Sequence, residues 1–248
     1  MPLSSEDLSR YARHIALGGI GMEGQERINK ARVLVAGLGG LGSAASMYLA
    51  AAGVGVLGLA DFDSVERGNL QRQILHGTEW VGKPKVDSAL SRLHSINPDV
   101  KLEAFREKVT ARNGGEIIRG FDIIVGAFDS IGAKHALNEA CQKAGKPMVH
   151  GSLDGWKGEV ACFVPGGGPC YRCLYQPGVE SGSSGGVFGP LAGIIGAVTA
   201  GECLKLLTGA GTSLVGRLLR IDARDLRFSE FILERDPDCA CCGNARGK

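Results

Sequence analysis

The chain is poor in aromatic residues and has no long apolar segment free of charges or helix breakers. Aromatic residues make up 6% of the 248 residues, whereas 39 residues are glycine. This composition is typical of an α/β protein with many tight strand-to-helix turns and argues against a β-sandwich. The most apolar stretch, residues 187–207, contains Pro190, Glu202 and Lys205. We therefore expect a buried helix beginning near Pro190 rather than a membrane span.

The sequence also lacks a strong net charge and an export signal. Its formal net charge is +2, from 28 Lys and Arg against 26 Asp and Glu, which argues neither for nor against a polyanionic partner. Residues 1–11 are polar and contain no apolar signal core, so we predict a cytoplasmic protein with no membrane or nucleic-acid partner. In that compartment the eight cysteines are expected to be thiols or metal ligands rather than disulfides.

Short apolar segments alternate with helical patterns through the first 150 residues. After helical residues 5–30, strands are predicted at 32–35, 54–60, 100–105, 121–125 and 147–150, with helices at 43–52, 85–96, 115–119 and 133–144. This alternation predicts a Rossmann-like, doubly wound, mainly parallel sheet of the α/β class. Later strands predicted at 159–164, 216–222 and 228–234 indicate an antiparallel extension, with an apolar helix over 190–208.

A glycine-rich turn follows the first predicted strand. Gly37-x-Gly39-x-x-Gly42 removes side chains where a strand turns into a helix, so that backbone amides can approach a phosphate. Such turns also occur simply to pack a helix on a strand. Asp61 ends the second strand about twenty residues later and favours nucleotide binding, because its carboxylate can accept hydrogen bonds from ribose hydroxyls. Asp63 is open to the same role or to capping the following turn.

Two cations follow in the segment that is expected to run along the carboxyl edge of the sheet, where ligands of such folds bind. Most Arg and Lys residues are surface charges, but Arg72 and Lys85 exceed what the phosphates of a dinucleotide need. They suit a triphosphate that meets an incoming carboxylate, because fixed cations offset the repulsion between two anions. Asn69 can hydrogen-bond a ribose or phosphate oxygen. Asp129 is equally suited to hold Mg²⁺ or to cap the next helix.

Two C-x-x-C pairs lie in the last third of the sequence. Each pair can supply half of a tetrahedral thiolate site, and two pairs complete it. A redox-active dithiol is the alternative, but it leaves the second pair unexplained. Cys241 is a spare thiol inside the second knuckle. The predicted structural zinc ligands are Cys170, Cys173, Cys239 and Cys242.

The remaining cysteines and the histidines predict no further site. Cys141, Cys162 and Cys203 lie in apolar contexts that are typical of small core residues. The five histidines show no His-x-x-x-His spacing that would support a second metal. His150 ends the fifth predicted strand near the expected site, and we interpret it as a hydrogen-bonded core histidine.

Together these residues resemble one family nearly end to end. It is the MoeB/ThiF family of ubiquitin-activating-like sulfur-carrier-protein adenylyltransferases, and the resemblance is strongest to its molybdopterin-synthase branch. The glycine turn alone would not distinguish this family, but the combined set does. The motifs are Arg10-Tyr11-x-Arg13, Gly37-Leu38-Gly39-Gly40-Leu41-Gly42, Asp61-Phe62-Asp63, Asn69-Leu70-Gln71-Arg72-Gln73, Pro84-Lys85, Asp129, Cys170-Tyr171-Arg172-Cys173 and the terminal cysteine knuckle.

The resemblance implies an ATP site and a role for each matching residue. Arg72, Lys85 and Asp129 would be catalytic, with Asp129 acting through Mg²⁺. Arg13 would reach the site from the neighbouring subunit of a homodimer, although its sequence context alone indicates an exposed helix charge. The implied nucleotide-binding set is Gly37, Gly39, Gly40, Gly42, Asp61, Asp63, Asn69, Arg72, Lys85 and Asp129.

The same resemblance implies the reaction and the partners. The C-terminal Gly-Gly carboxylate of a small ubiquitin-like sulfur-carrier protein would attack the α-phosphate of ATP, giving acyl-AMP and pyrophosphate ahead of thiocarboxylate formation. Because the sequence ends soon after the second knuckle, the sulfur is expected from a separate donor, a cysteine desulfurase or a rhodanese. We expect one domain over residues 1–248, with N-terminal helices at 1–30, a nucleotide-binding core at 31–150 and a carrier-binding, zinc-bearing part at 151–248.

One position departs from the family pattern. Family members often carry a Cys eight residues before the Pro that opens the apolar helix, and that position here is Gly182, in a loop of Gly and Ser. We therefore predict adenylation without a covalent cysteine step on this chain. The departure also keeps open a small-molecule or peptide carboxylate as substrate. A nicotinamide-dependent dehydrogenase would leave the cations and the cysteine pairs unexplained, and a non-catalytic scaffold would not need the full nucleotide set.

Overall fold

The computed structural model describes residues 3–178 and 185–243. The helices are α1 (Ser5–Arg10), α2 (Ala12–Ile15), α3 (Gly21–Lys30), α4 (Gly40–Ala51), α5 (Lys85–Ile96), α6 (Gly114–Ile118), α7 (Ile131–Ala144), α8 (Tyr171–Leu174) and α9 (Gly189–Thr208). The strands are β1 (Arg32–Ala36), β2 (Val56–Ala60), β3 (Lys101–Phe105), β4 (Ile123–Gly126), β5 (Met148–Asp154), β6 (Lys157–Phe163), β7 (Arg217–Asp222) and β8 (Arg227–Ile232). Short 3₁₀ helices at Arg67–Asn69 and Thr78–Trp80 lie between β2 and α5.

All of these strands join one sheet in the order β3-β2-β1-β4-β5-β6-β7-β8. The pairs from β3 to β5 are parallel, and the pairs from β5 to β8 are antiparallel. The strand order reverses at β1, so the carboxyl ends of β1 and β4 flank the crevice where such sheets bind ligands. The predicted fold class, a parallel core with an antiparallel extension, is confirmed.

Helices cover both faces of the parallel core because its central strands are apolar on both sides. Every residue of β4 is buried, as are the last four residues of β1 and of β2. One hydrophobic cluster joins the sheet to α3, α4, α5 and α9, and a second cluster joins its other face to α6, α7 and α8. Cys141, Cys162 and Cys203 are buried in these clusters, as predicted.

The apolar helix α9 is a core element. It packs on α4, β5 and β6, and Leu191 and Ile195 are fully buried. Among the described helices, α9 alone has the length and composition to cross a membrane, yet half of that apolar window is buried inside the fold. Pro190 lies in its first turn, where its missing N–H costs no helical hydrogen bond. The helix predicted to begin near Pro190 is therefore confirmed.

Most element ends shift by a few residues from the sequence prediction, and three of the differences have a clear structural cause. α4 begins at Gly40 instead of Ser43, because the glycines of its first turn lie against neighbouring chain segments and do not break the helix. β5 continues beyond His150 to Asp154, since it gains β6 as an antiparallel neighbour. α8 is a single turn inside the first C-x-x-C pair, too short to leave a periodic signal in the sequence.

Candidate active site

The turn between β1 and α4 is rich in glycine and leads into a helix start without a side-chain cap. Gly37 has φ of +101°, a conformation that residues with a side chain rarely adopt. A Cβ on Gly42 would overlap the carbonyl oxygen of Gly37, so the turn closes this tightly only with glycine. Gly39 is the N-cap of α4, and no described side chain caps that helix. The first amides of α4 are therefore able to bind a phosphate.

A cavity of about 460 Å³ opens beside this turn, at the carboxyl ends of β1, β2 and β4. Its volume is in the range of small-molecule and cofactor sites. Most of the residues predicted to bind the nucleotide meet here, although they are spread over more than ninety residues of sequence. The predicted residues that line the cavity are Gly37, Gly39, Gly40, Asp61, Asp63, Arg72, Lys85 and Asp129.

Three predicted residues lie outside the lining of this cavity. Gly42 packs against the glycine turn itself. Asn69 ends a 3₁₀ helix, where its Oδ1 accepts a hydrogen bond from the Glu66 amide at 3.3 Å. Arg13 is exposed on α2 and does not reach the cavity of its own chain. Their proposed contacts with a nucleotide stay predictions.

Asp61 is buried at the end of β2 and stabilises the glycine turn. Its carboxylate accepts hydrogen bonds from the Leu38 amide at 2.7 Å and from the Asp63 amide at 2.8 Å. Because two carboxylate oxygens have about four acceptor sites, a ribose hydroxyl can still be bound. His76, which carries no motif signal, supports the same turn, with one ring nitrogen 3.0 Å from the Leu38 carbonyl and the other 3.0 Å from Ser88 Oγ.

The two predicted cations lie on one wall of the cavity. Lys85 begins α5 and is only 6% exposed. Its Nζ lies 3.0 Å from Asp63 Oδ2, and the Asp63 side chain is about half exposed. A phosphate that enters the cavity can bind the same ammonium group, because a buried cation is stabilised by an anionic partner. Arg72 donates a hydrogen bond to the neutral Gly68 carbonyl at 3.1 Å, and no carboxylate of residues 3–178 or 185–243 forms an ion pair with it.

Asp129 lies at the rim of the cavity, between β4 and α7. The capping residue of α7 is the next one, because Ser130 Oγ accepts a hydrogen bond from the Ala133 amide at 3.4 Å. The structure therefore removes the capping alternative for Asp129. Its exposed carboxylate, beside a site that suits phosphate, is the oxygen ligand that Mg²⁺ prefers.

The cavity is also lined by a group of side chains that we call the polar floor. Apart from Tyr171, which lies inside the first C-x-x-C pair, its members carry no motif signal in the sequence. Antiparallel pairing of β5 with β6 places Ser152 opposite Glu159. Lys134 Nζ donates a hydrogen bond to Ser152 Oγ at 3.0 Å, and the Tyr175 hydroxyl donates one to Glu159 Oε1. Only the folded sheet brings these residues together. The polar floor consists of Lys134, Ser152, Glu159, Tyr171 and Tyr175.

The pKa values of Lys134 and Glu159 in the polar floor are both shifted from their ordinary values. Burial lowers the pKa of Lys134 to about 8, although Glu159 and Asp129 act in the opposite direction. Burial raises the pKa of Glu159, but the nearby His150 ring and the hydrogen bond from the Tyr175 hydroxyl outweigh burial and lower the pKa to about 2. At pH 7 the floor therefore holds a protonated amine and an ionised carboxylate.

His150 lies beneath the polar floor and is only 1% exposed. Burial lowers its pKa to about 4. Its Nε2 is 3.9 Å from Glu159 Oε1, beyond hydrogen-bond length. Within residues 3–178 and 185–243, neither ring nitrogen has a hydrogen-bond partner. The prediction of a core histidine is confirmed, but the prediction that it is hydrogen-bonded is wrong.

Four cysteines from the two C-x-x-C pairs meet behind α7. The Sγ atoms of Cys170, Cys173, Cys239 and Cys242 all lie within 4.8 Å of one another. The Cys170–Cys239 and Cys173–Cys242 sulfur distances are 3.8 and 3.4 Å. A tetrahedron with zinc–sulfur bonds of about 2.3 Å places its sulfurs roughly 3.8 Å apart. The cluster is therefore compatible with the predicted zinc.

The spare thiol of Cys241 is not one of the four clustered sulfurs. Cys241 Sγ accepts a hydrogen bond from Asn138 Nδ2 at 3.2 Å. Asn138 also accepts a hydrogen bond from the Tyr171 amide at 3.0 Å, which ties the first knuckle to α7. The prediction that concerns Gly182, a reaction without a covalent cysteine step, lies outside the described residues and stays a prediction.

These features define a class of α/β enzyme that binds a nucleotide at the switch point of a doubly wound sheet. A family model described as the ThiF family matches residues 11–241. The chain is 42% identical over 248 residues to the SAMP-activating enzyme E1 of Haloferax volcanii, covering 98% of this chain and 92% of that protein. It is 42% identical over 254 residues to the sulfur carrier protein adenylyltransferase of Thermus thermophilus, covering 98% and 94%.

The chain belongs to the ThiF family. The family resemblance and the enzyme class predicted from the sequence, an adenylyltransferase, are confirmed. Among solved structures, Escherichia coli MccB with ATP superposes with a TM-score of 0.84 over 97% of this chain and 75% of that chain. At 23% identity this likeness shows a shared fold.

Proposed function

We propose that the protein uses ATP to adenylate the C-terminal Gly-Gly carboxylate of a small ubiquitin-like sulfur-carrier protein. The products are an acyl-AMP and pyrophosphate, ahead of thiocarboxylate formation. The main support is one cavity that combines uncapped helix amides, two cations and an exposed carboxylate. The names of the relatives, one a SAMP-activating enzyme and one a sulfur carrier protein adenylyltransferase, support the same substrate class.

ATP and Mg²⁺ fit the residues that line the cavity. The first amides of α4 would bind phosphate oxygens, and Asp61 would accept a hydrogen bond from the ribose. Asp129 would hold Mg²⁺, which supplies neutralisation of phosphate charge. Arg72 and Lys85 offset the repulsion between the incoming carboxylate and the α-phosphate, an electrostatic contribution that favours the transition state.

We propose that the protein is a homodimer in which Arg13 of one subunit contacts the nucleotide bound by the other. Because Arg13 is exposed and lies outside its own cavity, it can contact a nucleotide only in a second copy of the chain. Mixing inactive Arg13→Ala and Arg72→Ala proteins is then expected to restore part of the exchange activity, since some mixed dimers contain one intact site. Mixtures as inactive as the separate variants would exclude this arrangement. We place the reaction in the cytoplasm, with the sulfur delivered by a separate cysteine desulfurase or rhodanese.

The test of the proposed function is ATP–pyrophosphate exchange with candidate carrier proteins, each with and without its terminal Gly-Gly. Exchange is expected only with the intact terminus. Arg72→Ala and Asp129→Ala are expected to reduce it about a hundredfold or more, with unchanged circular dichroism and zinc content. Arg67→Ala is the matched control, because Arg67 is exposed and does not line the cavity.

The alternative substrate class gives a different result in the same assay. Exchange stimulated by small carboxylates or peptides, and by no carrier protein, would favour adenylation of a small-molecule or peptide carboxylate. Exchange with none of these substrates would contradict both possibilities. Unchanged activity of either variant would remove that residue from the site.

A further inference from the structure

Within the described part of the chain, Lys134 is a buried cation without a direct counter-ion. It is 5% exposed, and its Nζ donates its hydrogen bond to the neutral hydroxyl of Ser152 at 3.0 Å. Across residues 3–178 and 185–243, its Nζ forms no ion pair with a carboxylate. Lysines are almost never fully buried without a partner, because the charge loses its hydration. A buried ammonium that lines a cavity is therefore suited to an anion that enters from outside.

The position of Lys134 separates it from the cations assigned to the triphosphate. It lies in the first turn of α7, five residues after Asp129, and contacts β5 through Ser152. Arg72 and Lys85 belong instead to the segment between β2 and α5. Lys134 lines the same cavity as Ser152 of β5 and Glu159 of β6.

The carboxylate of the polar floor is engaged by other groups. Glu159 Oε1 accepts the hydrogen bond of the Tyr175 hydroxyl, and Glu159 Oε2 lies 3.6 Å from the Arg220 guanidinium. These partners hold Glu159 away from ion-pair contact with Lys134, while its charge still favours the ammonium form. Burial lowers the pKa of Lys134 to about 8, so the amine is mostly protonated at pH 7 and available to an anion.

We propose that Lys134 binds the terminal carboxylate of the carrier protein and positions it beside the α-phosphate. This inference rests on the proposed function, in which that carboxylate is the nucleophile. The ammonium group would form a charge-assisted hydrogen bond with one carboxylate oxygen and leave the other to attack. Ser152 fixes the amine before the carrier arrives, which lowers the entropic cost of orienting the two groups.

The test compares carriers with two different C-termini. The probe is a Gly-Gly carrier protein that supports wild-type exchange, prepared with its terminal carboxylate and, by peptide ligation, with a terminal amide. Dissociation constants for both are measured by calorimetry with wild type, Lys134→Met and Lys143→Met, where Lys143 is an exposed residue near the end of the same helix. Wild type is expected to prefer the acid over the amide by about tenfold to a hundredfold, the value of one charge-assisted hydrogen bond.

Lys134→Met is expected to abolish that preference and leave the affinity for the amide and for ATP unchanged. Lys143→Met is expected to keep the preference, and Lys134→Arg to restore part of it. If Lys134→Met does not fold, Lys134→Gln, which keeps a hydrogen-bond donor to Ser152, replaces it with the same expectation. Three results would overturn the inference. Wild type could bind the acid and the amide carrier equally well, Lys134→Met could lose the same affinity for both carriers, or Lys134→Met could lose affinity for ATP alone.

Failure of the proposed function gives a separate result. In that case wild type catalyses no pyrophosphate exchange with any Gly-Gly carrier, and the assignment of Lys134 falls with it. Wild-type exchange together with an unchanged acid-to-amide ratio in the Lys134 variants would overturn the assignment alone.

Discussion

His150 is expected to make the fold less stable in mild acid. The folded chain keeps its imidazole neutral, because burial lowers the pKa to about 4 and no described group hydrogen-bonds either nitrogen. In the unfolded chain the imidazole takes up a proton near pH 6.5. Since the folded-state pKa is depressed, this contribution to stability is present above pH 6.5 and is lost as the pH falls towards 4. At 1.4 kcal/mol per pKa unit, the loss between pH 7 and pH 5 is about 2 kcal/mol.

The His150→Phe variant isolates this effect. Phenylalanine keeps an aromatic ring against Tyr171, whose ring centroid lies 5.0 Å away, and it cannot take a proton. Urea unfolding at pH 7 and pH 5 is expected to show that wild type loses about 2 kcal/mol more than the variant. The two nearest charges, Glu159 and Lys134, act on His150 in opposite directions and are retained in both proteins.

An exposed histidine provides the control for this measurement. His94→Phe on α5 changes an exposed side chain and is expected to follow wild type at both pH values. Any loss of bound zinc in acid is expected to affect all three proteins equally, so it cancels when they are compared at one pH. Equal losses in wild type and His150→Phe would refute the reasoning.

Two further predictions concern the glycine turn and the cysteine cluster. Gly42→Ala is expected to lower the free energy of unfolding by roughly 1–3 kcal/mol, measured with urea, because the added Cβ overlaps the Gly37 carbonyl. Cys170→Ser is expected to lose bound zinc, measured by elemental analysis. Cys241→Ser is expected to retain it, because Cys241 is not among the four cysteines whose sulfurs lie within 4.8 Å of one another.

Each of these predictions has its own control. Gly132→Ala is expected to change the free energy of unfolding much less than Gly42→Ala. A Cβ at Gly132 would lie 3.8 Å from its nearest neighbour, Ser130 Oγ, which is an ordinary contact distance. Equal stability of the two alanine variants would contradict the close contact at Gly42. Full zinc retention by Cys170→Ser, or loss of zinc from Cys241→Ser, would contradict the assigned ligand set.

Strong local signals explain which elements could be predicted from the sequence. α5 spans Lys85–Ile96 in the structure and in the prediction, because Pro84 precedes its first turn and Asn97-Pro98 stops it. The start of α4 could not be predicted equally well. Glycine has a low helix propensity, and only the tertiary contacts of Gly40 and Gly42 show why the helix begins there.

The candidate site divides in the same way. Asp61, Arg72, Lys85 and Asp129 lie in or beside recognisable motifs at strand ends, so the topology of a doubly wound sheet is enough to bring them together. Lys134 meets Ser152 and Glu159 only because β5 continues into an antiparallel hairpin with β6. The spacing of these residues along the sequence gives no indication of that strand pairing.

The close packing of α4 on α9 makes the phosphate-facing end of α4 rigid. A methyl group on Gly196 would overlap the Leu41 carbonyl, so the two helices are closely packed at the phosphate-facing end of α4. The N-terminal end of α4 therefore cannot tilt or unwind unless α4 and α9 separate. We therefore expect the surrounding loops to adapt to the substrates. Hydrogen–deuterium exchange of residues 44–51, whose amides lie beyond the uncapped first turn of α4, is expected to be as slow without nucleotide as with it.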